Sequence, residues 1–143
     1  MPKFNLDERT LVYPAIAPAS TALTGVYSSA IDTLGYSGAL VIVNAGLAAS
    51  NAELDVTVRE GSARTVTTSH THVTGASFTQ IVAANDNTCY VGWLDLQPRE
   101  RYISVKFKRD GSNDVTAGCV VVLMNKQYLP TTQVNTVAFN VLT

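Results

Sequence analysis

Between residues 53 and 60 apolar and polar side chains alternate: Leu54, Val56 and Val58 point one way, Asp55, Thr57 and Arg59 the other. Successive side chains of a β-strand take opposite faces, so this period of two predicts a strand with one wet face. Arg101–Arg109 repeats it, with Ile103, Val105 and Phe107 opposite Tyr102, Ser104, Lys106 and Lys108. Val26–Thr33, Leu40–Ala45, Phe78–Ala83, Thr88–Leu96 and Val115–Met124 are apolar or β-branched runs of strand length. Turn residues separate them at Gly35-Tyr36-Ser37-Gly38, Ala84-Asn85-Asp86-Asn87 and Asp110-Gly111-Ser112-Asn113-Asp114, the last predicting a hairpin-like loop. Gly61–Ser77 is rich in Thr and Ser and poorly patterned, which reads as a long loop or a weak edge strand. Strands joined by short turns, with no long helical pattern between them, point to an all-β sandwich, jelly roll or small barrel.

The pattern divides the chain into three. Residues 1–23 contain Pro2, Pro14 and Pro18 and are expected to form an extended N-terminal arm, since each proline lacks an N–H and biases its predecessor toward extended backbone. Phe4, Leu6, Tyr13 and Ile16 give that arm apolar groups that need a surface to cover, on their own domain or on a neighbour. Residues 24–124 form the β-sandwich. Residues 125–143 are a C-terminal extension interrupted at Pro130, after which Val134, Val137, Phe139 and Val141 suggest a terminal strand that completes its own sheet or is donated to another.

The 143 residues, 46% of them hydrophobic, suit one domain with a core of its own. A net charge of −1 argues against broad electrostatic attraction to nucleic acid or a membrane surface. The first residues lack the apolar core of a secretory signal, and the apolar stretches fall short of the ~20 residues that span a bilayer, so a soluble, non-secreted protein is expected. Cys89 and Cys119 lie in apolar strand-like segments and read as buried free thiols, with a bridge between neighbouring strands left open.

Chemistry-bearing groups are sparse. His70 and His72 have the i, i+2 spacing that places two imidazoles on one strand face, as a cupin-like metal site would need, but no third histidine or nearby downstream Glu completes a ligand set. Two solvent-facing loop histidines are the simpler expectation. The aspartates lack paired spacing, the Asp110–Asp114 run lacks the length and terminal Glu of a calcium loop, and no nucleophile elbow or phosphate loop occurs. No catalytic residue, metal or cofactor is therefore expected. Lys106, Lys108 and Arg109 beside Tyr102 read as the solvated face of an amphipathic strand, with an acidic protein surface or single-stranded nucleic acid as the functional alternative. Trp93, the sole tryptophan, is expected in the core; exposed together with Tyr90 and Tyr102 it would suit a carbohydrate-binding module or a fibre domain for host-surface recognition.

Several segments taken in order carry a family resemblance. Ser29-Ala30-Ile31-Asp32-Thr33-Leu34-Gly35-Tyr36 followed by Leu40-Val41-Ile42-Val43-Asn44-Ala45-Gly46 resembles the "Asp-Thr-x-Gly-Tyr … Val-Asn-x-Gly" line of capsid cement, or decoration, proteins of tailed bacteriophages. Asp55–Gly61, Arg101-Tyr102-Ile103-Ser104-Val105 and Val121-Val122-Leu123 through Tyr128-Leu129-Pro130 are similar to later strands of that family, and size and extended ends look most like its member from a short-tailed Bordetella phage. Ala63–Ser77 departs from the family, which commonly has an acidic stretch there. The resemblance implies a jelly-roll-like antiparallel β-sandwich with extended terminal segments. It also implies a homodimer on the outer surface of the virion that bridges neighbouring major capsid proteins, made in the host cytoplasm and binding no nucleic acid, membrane or small-molecule substrate. Phe4, Leu6, Tyr13, Ile16, Tyr128, Leu129 and Phe139 are the residues expected at its capsid or dimer contacts.

Overall fold

A computed structural model describes residues 9–21 and 24–125. Among the described residues ten strands form two antiparallel sheets. The front sheet has the order β1 (Leu11–Ser20), β10 (Val115–Met124), β4 (Gly38–Ala48), β8 (Cys89–Asp95). The back sheet is built on β9 (Tyr102–Arg109) and β5 (Glu53–Gly61). Both β2 (Val26–Tyr27) and β3 (Ile31–Asp32) pair with β9, and both β6 (Thr71–Ser77) and β7 (Ile81–Val82) pair with β5. With β2/β3 and β6/β7 each counted as one interrupted strand, the described residues form an eight-stranded jelly roll: first strand with last, second with seventh, third with sixth, fourth with fifth.

The core lies between the sheets. Ala39, Val41 and Val43 of β4 and Cys119, Val121 and Leu123 of β10 face Leu54, Val56 and Val58 of β5 and Ile103, Val105 and Phe107 of β9, all buried. The alternation predicted for β5 is observed, and in β9 the inward row is the predicted one while Tyr102 and Ser104 of the opposite row are also buried. At about 1.5–3 kcal/mol per buried large apolar side chain, these rows are the main favourable contribution to folding. The break between β2 and β3 is sealed by Ser28, whose Oγ accepts from Val105 N at 2.9 Å while its own N–H donates to Val105 O at 2.9 Å.

Two expectations are corrected, and the edge strand expected within Gly61–Ser77 is found. The second half of the N-terminal arm is extended but does not leave the domain: Leu11–Ser20 is the edge strand β1, paired with β10. Its prolines are tolerated because an edge strand needs only half its ladder, and the register shifts after Pro14 and again after Ile16. The Asp110–Asp114 turn is not a hairpin, for β9 belongs to the back sheet and β10 to the front; it crosses the sandwich, as does the turn at residues 84–87 between β7 and β8. At the first crossing Gly111 lies against the 51–53 backbone, where an added Cβ would sit 2.3 Å from Asn51 O. Gly61–Ser77 holds a helical turn, Val66–Ser69, and the edge strand β6.

The cysteines do not pair. Cys89 lies opposite Asn44 and Cys119 opposite Val43, on either side of β4 and on opposite faces of the sheet. Cys119 is buried as expected, and burial pushes its thiol up to about 12, whereas Cys89 is exposed. Asp32 of β3 is bound by Arg101 through two hydrogen bonds of 2.8 and 3.1 Å, which hold its carboxyl below the ordinary 3.8.

Phe107→Ala removes the largest fully buried side chain and is expected to lower stability by about 3–5 kcal/mol in denaturant titration. A thiol reagent at neutral pH should modify one cysteine per native chain, Cys89, and both after unfolding. A carboxyl with a depressed folded pKa stabilises above its unfolded pKa and loses that contribution as pH falls through the folded value. Asp32→Asn should therefore reduce stability at about pH 7 and make progressively less difference as the pH falls through the acid range below 3.8, read by melting temperature across pH.

Candidate functional site

The two outer faces of the sandwich differ in kind. The outward positions of the back-sheet strands carry six charged side chains: Asp32, Glu53, Asp55, Arg59, Lys106 and Lys108. The front-sheet strands carry one, Asp95, at the end of β8. Beyond its buried inner rows the front sheet has an outer set that is also apolar. Leu40 and Ile42 of β4 and Val120, Val122 and Met124 of β10 are half-buried, flanked by exposed Pro14 on β1 and by Val91 and Trp93 on β8. The register joins them into rows, Val122–Leu40–Trp93 and Val120–Ile42–Val91. Strands with apolar residues on both sides belong where both faces are covered; here the sandwich covers only one.

Trp93 sits at the side of this face. Its ring lies across Gly38 of β4, where any Cβ would come within 2.8 Å of it, so glycine at 38 lets the indole spread over the sheet. It is 61% exposed and Val91 60%. The expectation that Trp93 is core is thus overturned: β8 is phased with Tyr90 and Leu94 inward, which puts Trp93 outward. The three aromatics of the carbohydrate reading are not brought together. Tyr90 packs edge-on against Phe78 with centroids 6.0 Å apart, and Tyr102 is buried on the other sheet beneath Arg64 and Arg101.

The back face engages its own charges. Lys106 and Arg59 both lie over the Tyr27 ring, at 5.2 and 5.4 Å, and the Lys106 ammonium holds the phenol below its usual range. Lys108 is 3.8 Å from Asp110, and Arg109 pairs with Asp114. Each cation of the predicted basic stripe thus has a partner within the chain.

The two histidines differ in burial. His70 is buried rather than solvent-facing, with Nδ1 2.9 Å from Ser104 Oγ and Nε2 2.8 Å from Ala63 O, and Arg59 donates to its carbonyl. The imidazole fixes the 61–70 segment onto the back sheet, which explains why Ser104, predicted as wet, is fully buried. His72 is exposed on β6. Among the described residues no three His, Cys, Asp or Glu side chains converge as metal ligands, and no helix is long and apolar enough to cross a membrane.

Of the expected contact residues, Ile16 is buried in the chain's own core and Tyr13 packs against that core. Neither is free for a neighbour in the way an arm residue would be, because β1 is stitched to β10. Phe4, Leu6, Tyr128, Leu129 and Phe139 lie outside the described residues. The outer front face was not among the expected contacts. Its signal was present in the unbroken runs Ala39–Val43 and Cys119–Met124, which are apolar at odd and even positions alike.

No family model matches the chain, and no curated protein sequence matches it significantly. Solved structures share its architecture. The chain is similar to the protein in the crystal structure of the infectious bursal disease virus VP2 subviral particle, at 15% identity and a TM-score of 0.51 over 87% of this chain and 38% of that one. It is similar to a chain of the infectious bursal disease virus Gx strain at 12% identity and a TM-score of 0.51, over 86% of this chain and 34% of the other. It also overlaps a Bacillus endospore appendage protein at 12% identity and a TM-score of 0.47, covering 84% of this chain and 91% of that one, which carries no weight here. The chain therefore spans little more than a third of the viral chains it matches, and what it shares with them is the fold.

Proposed function

We propose that the chain is a structural virion protein, a cement or decoration protein that binds the outside of an icosahedral phage capsid as a homodimer. It bridges neighbouring major capsid proteins and stabilises the shell, without catalysis, cofactor or small-molecule substrate. One observation carries this reading: the outer front face is apolar across four strands whose only charged side chain is Asp95. Such a face is suited to being buried in an assembly. The jelly-roll sandwich, a fold also found in the VP2 subviral particle, supports the same reading.

Burial supplies the binding energy. Each ~100 Å² of apolar surface removed from water contributes about 2.5 kcal/mol before ordering costs. Capsid contacts fall to the terminal segments, through Phe4, Leu6, Tyr128, Leu129 and Phe139. A dimer that engages two capsomers gains avidity without new contacts, because its second attachment is intramolecular. The carbohydrate reading keeps only Trp93, whose row neighbours Leu40 and Val122 offer no polar group to a sugar hydroxyl.

Mixing the purified full chain with empty expanded shells of the phage that encodes it should give co-sedimentation at a fixed stoichiometry and shells more resistant to heat. Removing residues 1–8 leaves β1 intact and should weaken attachment while the sandwich stays folded. A full chain that does not sediment with the shells at saturating concentration would reject the cement reading.

A further inference from the structure

We infer that the outer face of the front sheet is the dimer surface, and that its occupant is the same face of a second copy. The inference rests on the reading of the chain as a dimeric assembly protein and names the surface that makes it one.

The chemistry of the face selects the partner. It presents Leu40, Ile42, Val120, Val122, Val91 and Trp93 in adjoining rows on a pleated sheet. A heterologous partner is usually recognised by directed polar groups and complementary charge, and these rows offer neither. Homodimer interfaces are the more apolar class and resemble a domain core cut in half, which describes this face. A second copy supplies another uncharged pleated sheet, with no like charges brought together at the centre and with the sheet-on-sheet packing the molecule already uses inside. Asp95, at the end of β8, falls at the rim.

The area is sufficient. Four strands spaced about 4.8 Å, over some seven to nine residues at ~3.3 Å each, give roughly 500 Å² in projection. Side-chain relief raises the accessible area above the projected one, toward the low end of the about 600–1,000 Å² per partner of specific interfaces. Trp93 has the character of an anchor: a large, exposed aromatic fixed in place by Gly38, beside apolar neighbours that would exclude water around it.

Because Trp93 is the only tryptophan, its emission reports this face alone. The test is sedimentation of the full chain over a dilution series, with fluorescence and acrylamide quenching read on the same samples. The expected result is a dimer with short-wavelength, quencher-protected emission that dissociates on dilution, both signals moving with one midpoint. Val91→Lys, at an exposed position the fold tolerates, should keep the far-ultraviolet spectrum and raise the dissociation constant by about a hundredfold or more, since the dimer would bury two uncompensated ammonium groups. A monomer at every concentration overturns the inference. So does a dimer whose Trp93 stays fully quenchable, and so does a monomer whose Trp93 becomes protected only when shells are added. A dimer with protected Trp93 that ignores the shells upholds the dimer face and removes the cement reading, so the two failures are distinct.

Discussion

The pairing of β4 with β10 at the centre of the front sheet is the constraint on which the rest of the molecule depends. From Gly38 opposite Met124 to Ala45 opposite Ala117 the two strands run in register, and each is apolar on both faces for most of that length. The inner rows are satisfied by the back sheet. Each further front-sheet strand is positioned by this pair, β1 along one edge and β8 along the other, and the loops that leave it must cross to the back sheet. A central pair of this composition forms a stable sandwich and at the same time leaves a second apolar surface that the sandwich cannot cover.

The back sheet obeys the opposite rule. Its strands β5 and β9 alternate over Glu53–Arg59 and Tyr102–Lys108, their outward residues are charged or polar, and Arg59 and Lys106 stack on Tyr27 while Lys108 pairs with Asp110. That face is stable in water as it stands. A molecule with one self-sufficient face and one unsatisfied face is asymmetric in a way that points to assembly, and the absence of charge from the unsatisfied face points to an assembly with itself. In the proposed cement role, such a pair is linked to the shell through the ends of each chain.

Much of this was legible in the residues. The alternation over residues 53–60 and 101–109 gave both the strands and the faces of β5 and β9. The runs at Leu40–Ala45 and Val115–Met124 were legible as strands, but a run apolar at every position carries no phase, so the exposed outer rows were not foreseen. Trp93 is expected in the core because a large aromatic carries much apolar area, and area alone does not say which face of β8 it takes. A short polar turn such as Asp110–Asp114 does not record which sheet the next strand joins, so this crossing reads as a hairpin in the sequence. Leu11–Ser20 was read as an arm because Pro14 and Pro18 disfavour a central strand, while an edge strand with bulges accepts them. His70 reads as solvent-facing in the sequence because its burial depends on Ser104, far along the chain, together with the Ala63 carbonyl and Gly61, where any Cβ would come within 2.5 Å of the imidazole.

The most direct test of the central claim, that the outer front face is covered by a second copy on a viral shell, is an electron cryomicroscopy map of the intact particle. The account predicts paired sandwiches on the outer surface of the capsid, with their front sheets apposed and Trp93 of each buried between them. Sandwiches standing singly with Trp93 turned to solvent, or a particle surface without them, would contradict it.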